Sequence, residues 1–351
     1  MKNAELSIKK IWAPDEAYTH HRIPGIFVTS KGTVIIYNEA RKSLEDWALM
    51  DIYLQRSEDG GMTFGDPIYI ANGTDTFKTV NNPVMLEDTL GRLHMLYLRD
   101  YSINGGGAWQ RTSSDDGLTW SEPKEITEFT KPELHNAFAF GPGHGIRTSD
   151  GMLTVPVWMV LKSANVPMKE HWPSVISTFC SKDNGQTWFL GEIVGSVGGA
   201  LYPGVFYPNE SVAAEASDGR IVMNVRSFNR YRALTYSSSG YSGWSRLAAR
   251  SDMPDPCCFG SIAKYDGLDG KYALLAVNCA DEHDRVKVTV RVSFDDGKTW
   301  SIKRTVDAER GGYCDIAVDE KTESVYVLYE DKGGSAGIYL ARMNAQWLIE
   351  D

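Results

Sequence analysis

The chain is poor in several features, and each shortage narrows the reading. Its 351 residues include only five cysteines (Cys180, Cys257, Cys258, Cys279, Cys314), an odd number without metal-ligand spacing. Scattered buried thiols fit that count better than a disulfide framework. The seven histidines show no ligand spacing either, so no metal site is expected. No run of 18 apolar residues occurs, which argues against a transmembrane helix. The N-terminus, Met1 to Lys10, lacks the apolar stretch of a signal peptide. The expectation is a cytoplasmic protein, or a secreted or periplasmic one whose signal has been removed. Lys and Arg number 36 against 46 Asp and Glu, a net charge of −10. That balance argues against nucleic acid as a partner, because phosphate binding needs a basic face. An anion site would have to be a local gathering of arginines. Helical periodicity is nearly absent. The best amphipathic stretch, Glu39 to Met50, contains Arg41-Lys-Ser-Leu-Glu-Asp46, which reads as a loop leaving a strand.

What the chain does have is a recurring phrase, Ser-x-Asp-x-Gly-x-Thr-Trp. It begins at Ser57 (ending in Phe64), Ser113, Ser181 and Ser293, with a worn copy from Ser237 to Trp244 that keeps only the serine and the tryptophan. Successive starts lie 56, 68, 56 and 56 residues apart, and a fixed period of this size marks a repeat architecture. Asp and Gly suit a tight turn. The flanks alternate apolar and polar residues, as in Asp51–Arg56 and Val288–Val292, so each copy caps a β-hairpin. The closing aromatic can pack under the turn. At this period the chain holds six units, and 33 glycines and 14 prolines supply the turns that short strands need. Residues 1–351 are therefore expected to form one all-β domain, a six-bladed β-propeller. Strand signals in residues 11–30 and the C-terminal segment are expected to complete the same last blade, which removes exposed edges. The phrase is read as structural, because its turn lies far from where the strands converge.

Propellers place their sites where the inner strands meet. Three arginines stand near strand ends in different repeats: Arg22 in His21-Arg-Ile-Pro24, Arg226 closing Arg220–Arg226, and Arg285 before Val286–Val292. Each alone reads equally well as a solvated charge. In combination with Glu39-Ala-Arg41, Asp46, Gly141-Pro-Gly-His-Gly145, Asn209-Glu210, Asn224-Val-Arg226, Met253-Pro-Asp-Pro256, Gly312-Tyr-Cys-Asp315 and Tyr329-Glu330, the chain resembles the sialidase (exo-α-neuraminidase) family of bacteria and animals. The resemblance covers essentially the whole chain.

That resemblance implies a glycoside hydrolase that needs no cofactor. Arg22, Arg226 and Arg285 would clamp the carboxylate on the anomeric carbon of sialic acid, since guanidinium forks match carboxylates. Glu330 would hold the first of these arginines. Arg41 falls on a family position near the glycan O4. Tyr313 matches the nucleophile; it follows Gly311 and Gly312, where a backbone turn is expected to expose its side chain. Sialidases use tyrosine where other retaining glycosidases use a carboxylate, because a neutral phenol is not repelled by the substrate's own carboxylate. Glu210 matches the base that activates the phenol, and Asp46 the acid/base for the leaving oxygen and then for water. The family has serine where Cys314 stands. Asn81-Asn82-Pro83 matches a turn near the N-acyl group, and Trp158 an aromatic near the glycerol tail. His144, among glycines, reads as a hydrogen-bonding residue. The implied partners are sialylated glycans on proteins, lipids or oligosaccharides. The alternatives are a hydrolase of a related 2-keto-3-deoxy sugar acid (Kdn or Kdo), whose carboxylate the same clamp would accept, and a non-catalytic sialoglycan-binding propeller.

Overall fold

Period-two alternation between turn residues makes each repeat an antiparallel sheet. The computed structural model describes residues 3–74, 79–102, 105–164, 171–194, 196–197, 200–201 and 205–350. Six sheets follow one another as blades of a β-propeller. In the first blade the order outward is His20–Val28, Val34–Arg41, Met50–Ser57, Ile68–Asn72. The innermost strands of the other five are Val80–Glu87, His135–Phe140, Ser211–Glu215, Ser261–Leu268 and Cys314–Asp319.

The last blade is built from both ends of the chain. Cys314–Asp319, Ser324–Glu330 and Ile338–Asn344 are completed by Leu6–Trp12, which pairs antiparallel with the last of these, Leu6 opposite Met343. The strand signal in residues 11–30 thus divides between the end of this closing strand and the innermost strand of the first blade. The Glu39–Met50 stretch is strand up to Arg41 and then a loop. Among the described residues the α-helix is one short turn at the C-terminus, Ala345–Ile349.

The repeated phrase lies between the third and fourth strands of the first five blades. Its hydrogen bonds are the same in each intact copy. Ser57 Oγ donates to Asp59 Oδ1 at 2.7 Å and accepts from Gly61 N at 2.8 Å, while Thr63 donates through N and Oγ1 to the same carboxylate. Asp115, Asp183 and Asp295 repeat this pattern. The glycine is needed for two reasons. Gly185 has φ +75°, and a Cβ there would lie 2.6 Å from the ring of His94 in the preceding blade. Trp188, which closes that copy, stacks on Phe179 at 5.1 Å and donates across the blade boundary to Gln110 at 2.8 Å. Each turn therefore fastens its blade to the one before. Because Val34 pairs with Ser57 and Arg41 with Met50, the phrase sits at the opposite end of the strands from Arg41.

Candidate active site

At the Arg41 end of the channel one pocket is lined by all the sequence-predicted site residues except Glu330: Arg22, Arg41, Asp46, Asn81, Asn82, Trp158, Glu210, Arg226, Arg285 and Tyr313. Glu330 is fully buried behind it.

Arg22 lies inside the innermost strand of the first blade, not before it. The register slips between Arg22 and Gly25, and Ile23 between them has φ +54°. This bulge turns Arg22 toward the last blade. There Glu330 accepts Arg22 Nε at 3.0 Å and Nη2 at 3.3 Å, Ile23 N at 3.0 Å and Tyr313 N at 3.2 Å. Burial opposes the charge on Arg22, but Glu330 more than offsets it, and the guanidinium is held firmly protonated. Gly311 and Gly312 were expected to make a turn that exposes Tyr313. Instead the ring is 6% exposed, and the glycines permit close approach. A Cβ on Gly312 would lie 2.6 Å from Glu330 Cβ, and one on Gly311 2.7 Å from the Arg285 carbonyl.

Tyr313 is the point of convergence. Its hydroxyl donates to Glu210 Oε1 at 2.7 Å and accepts from Arg226 Nη1 at 2.8 Å, and Arg226 is also paired with the Glu210 carboxylate. The guanidinium carbons of Arg22, Arg285 and Arg226 stand 5.0, 5.4 and 5.8 Å from the centre of the Tyr313 ring. Three residues separated by as many as 263 positions thus crowd one phenol. Burial pushes the phenol pKa well up. Arg226, Arg22 and Arg285 pull it down and Glu210 pushes it further up, and the net shift is upward. The resting residue is a neutral phenol with a carboxylate in position to take its proton.

Asp46 pairs with Arg41 across the pocket, at 2.8 Å. Burial works against ionising Asp46, but Arg41, helped by Arg22 and His171, outweighs it and keeps the carboxyl below the usual range. Arg41 is itself gripped by Glu39 through Nε at 2.8 Å. Glu39 Oε1 also accepts the amide of Asn82 at 2.6 Å, where φ is +50° and the register slips again. Asn82 spends its side-chain amide on the Phe140 carbonyl at 3.0 Å. Among the described residues, Asn81 Oδ1, Trp158 Nε1 and Arg226 Nε are buried without a partner. Leaving such atoms unpaired costs about 1–3 kcal/mol each.

Two strand ends differ from the sequence reading. Ile221–Val225 stops one residue short of Arg226, and Val288–Ser293 starts three residues after Arg285. Asp281 Oδ1 takes the amides of His283 and Asp284, and its other oxygen takes Lys287 Nζ at 2.8 Å. That turn lifts Arg285 out of the strand. His144 hydrogen-bonds through Nδ1 to Asp315 at 2.9 Å. Asp315 also accepts Ile26 N and Ser261 Oγ, joining three blades at the axis. Sequence reasoning gave no role to Glu39, Ile23, His171, Trp172 or Phe228. Glu39 stood in the quoted Glu39-Ala-Arg41 and Ile23 in His21-Arg-Ile-Pro24; the other three carry no pattern.

A family described as BNR repeat-like domain matches residues 67–327. A sialidase of Micromonospora viridifaciens is 28% identical over 95% of this chain and 53% of its own length, and one of Bacteroides fragilis is 27% identical over 91% and 61%. The chain thus spans little more than half the length of these curated relatives. Among solved structures, the Hadza microbial sialidase Hz136 superposes with a TM-score of 0.80 at 22% identity, over 95% of this chain and 68% of the other. By the family match and these whole-chain likenesses, the chain belongs to the sialidase family of BNR-repeat propellers.

Proposed function

We propose that the chain is a retaining exo-α-sialidase, releasing terminal sialic acid from glycoconjugates through a tyrosyl-enzyme intermediate. The observation that carries this reading is the Tyr313 hydroxyl held 2.7 Å from Glu210 beneath three arginines. The substrate carboxylate lies against Arg22, Arg226 and Arg285. Glu210 takes the phenol proton as Tyr313 Oη attacks the anomeric carbon, and Asp46 protonates the departing glycosidic oxygen. In the second half, Asp46 takes a proton from water, which attacks the same carbon; the C–O bond to Tyr313 breaks and the proton returns from Glu210. Arg226 hydrogen-bonds the phenol oxygen and favours its anionic form during transfer. Asp46 begins ionised, because Arg41 depresses its pKa. A bound substrate carboxylate offsets the neighbouring cations and raises that pKa toward the range an acid needs.

Tyr313→Phe removes one oxygen and should abolish nearly all release of a fluorogenic aglycone from α-linked N-acetylneuraminic acid, with an unchanged melting curve. A 3-fluoro sialosyl fluoride should leave a covalent adduct on the peptide carrying Tyr313, read by mass. An unmodified Tyr313 in a protein that still turns over sialosides overturns the nucleophile assignment. Kdn and Kdo glycosides assayed beside the sialoside separate this reading from that of a hydrolase for those acids.

A further inference from the structure

The axial channel has a second mouth. Val28 pairs with Val34 and Val34 with Ser57, so the far ends of the innermost strands lie on the side of the repeated turns. There a cavity of about 210 Å³ opens among residues of the first, fourth, fifth and last blades. Its walls are apolar. Ile26, Ala213 and Ile316 are fully buried, and Phe27, Ile146 and Val318 are half-buried around them.

A polar side chain is set into this wall, and half of it is unused. His144 hydrogen-bonds through Nδ1 to Asp315, a fully buried carboxylate that also accepts Ile26 N, Ile316 N and Ser261 Oγ. Because the carboxylate accepts throughout, Nδ1 carries the hydrogen, and the neutral ring keeps its lone pair on Nε2. Among the described residues Nε2 has no hydrogen-bond partner. The charged residues at the cavity do not select an ion. Arg147 and Lys264 are matched by Glu215 and Glu320, two charges of each sign. Both carboxylates are already engaged, Glu215 with Ser149 N at 2.9 Å and Oγ at 2.7 Å, and Glu320 with Asp266 N at 2.8 Å.

An apolar chamber with a fixed acceptor in its wall suits an uncharged apolar molecule that carries a hydrogen-bond donor. A phenol meets both demands. An apolar cavity of about 150 Å³ already holds a benzene ring. A phenolic hydroxyl, with a pKa of about 10, is a stronger donor than an aliphatic one. We propose that this far mouth of the channel is a binding site for a small neutral phenol, its hydroxyl donating to His144 Nε2 and its ring lying among Ile26, Ala213 and Ile316. The site is separate from the arginine pocket and does not rest on the sialidase reading.

Saturation-transfer NMR with phenol and the full chain tests the site without turnover. Transfer to the phenol ring protons should be seen with the parent protein. It should be lost in Ala263→Trp, which plugs the chamber from a half-buried position on the fifth blade. Val318→Trp on the last blade is a second plug, used if the melting curve shows the first to be unfolded. Anisole, the same ring with its hydroxyl methylated, should bind the parent about two- to tenfold more weakly, the loss of one neutral hydrogen bond. This arm needs no variant. No transfer with the parent overturns the site. Undiminished transfer in a folded plug variant would put the phenol elsewhere and overturns it too. Equal binding of phenol and anisole overturns the part given to His144.

Discussion

Replacing Glu330 by alanine tests the central claim that a buried carboxylate places the arginine clamp. The side chain is fully buried and accepts four hydrogen bonds, two from the Arg22 guanidinium and one each from the amides of Ile23 and Tyr313. Removing it leaves Arg22 facing Arg285 and Arg226 with no compensating charge behind it. Breaking a buried pair from one side costs on the order of 3–5 kcal/mol. That cost should appear as a lower melting temperature and a lower denaturant midpoint. Activity should fall further than stability explains, because Arg22 and Tyr313 lose the same anchor. Misplacing one charge-assisted contact worth about 1.5–3 kcal/mol corresponds to roughly ten- to hundredfold in kcat/KM. Glu330→Gln separates the two effects: it preserves volume and one acceptor, so it should recover part of the stability while leaving the arginine fork unmade. Hydrolysis of a fluorogenic sialoside on protein shown to be folded by circular dichroism provides the measurement. If Glu330→Ala melts like the parent, or melts lower yet keeps its kcat/KM, then the carboxylate is not what places Arg22.

Gly312→Ala should lower stability by about 1–3 kcal/mol and reduce sialoside hydrolysis with it, because the new methyl lies 2.6 Å from Glu330 Cβ and overpacking of this kind displaces neighbours; thermal melts and initial rates check both. Arg41→Gln removes the main cation holding Asp46 below the usual range, so the limb of the kcat/KM–pH profile that belongs to Asp46 should move to higher pH. An unmoved limb would assign it to another group. Acid stability should follow the repeated turns. Burial alone would raise the Asp115 pKa, but the Thr119 hydroxyl and amide and the Ser113 hydroxyl bring it down to about 2. A depressed carboxyl stabilises the fold above its unfolded value near 3.9 and loses that contribution as pH falls through its folded value. Asp115→Asn should therefore flatten the pH dependence of the melting temperature between about pH 4 and 2.

How much was legible in the sequence depended on whether chemistry forced a pattern. The turn phrase was readable because four of its positions are over-determined. Ser57, Asp59 and Thr63 bond one another and the backbone between them, and Gly61 must adopt φ +81°. The last blade shows no such phrase and was reached only by dividing the length by the period. The closing strand Leu6–Trp12 was blurred with its neighbour because its burial pattern is mostly exposed, as an outer edge requires. At the site, the arginines and Tyr313 were found through motif resemblance, since an arginine near a strand end says nothing alone. The rim was invisible. Trp172 and Phe228 lie in loops with no periodicity, and only the fold shows that loops 56 residues apart meet edge to face. The role of Gly311 and Gly312 was misjudged for a related reason. A glycine pair in sequence suggests a turn, whereas here it serves to clear Arg285 and Glu330.

One device appears twice around the pocket. In the last blade, Glu330 ends the second strand, holds Arg22 and takes the amide of Ile23 in the next blade. In the first blade, Glu39 lies near the end of the second strand, holds Arg41 and takes the amide of Asn82 in the next blade. Both amides belong to residues with positive φ that precede a proline within a register slip of an innermost strand. Such a backbone is strained for a side-chain-bearing residue and persists only where surrounding contacts enforce it. A buried carboxylate in each blade supplies that contact and fixes an arginine at the same time. Burial pushes the Glu39 carboxyl toward neutrality, and Arg41 and the Asn82 amide pull against it, so the bulge, the arginine and the charge support one another. The consequence is that two of the four pocket arginines are placed by the packing of blade against blade, not by flexible loops. Asp46 stands on a loop, tied to this frame through Arg41 Nη1 and a 3.5 Å contact from Asn81, with Trp47 and Ala48 packed against the core beside it. In the proposed mechanism, then, the residue that changes protonation stands on a loop, while two of the arginines that would meet the substrate's negative charge are set by strands of packed blades.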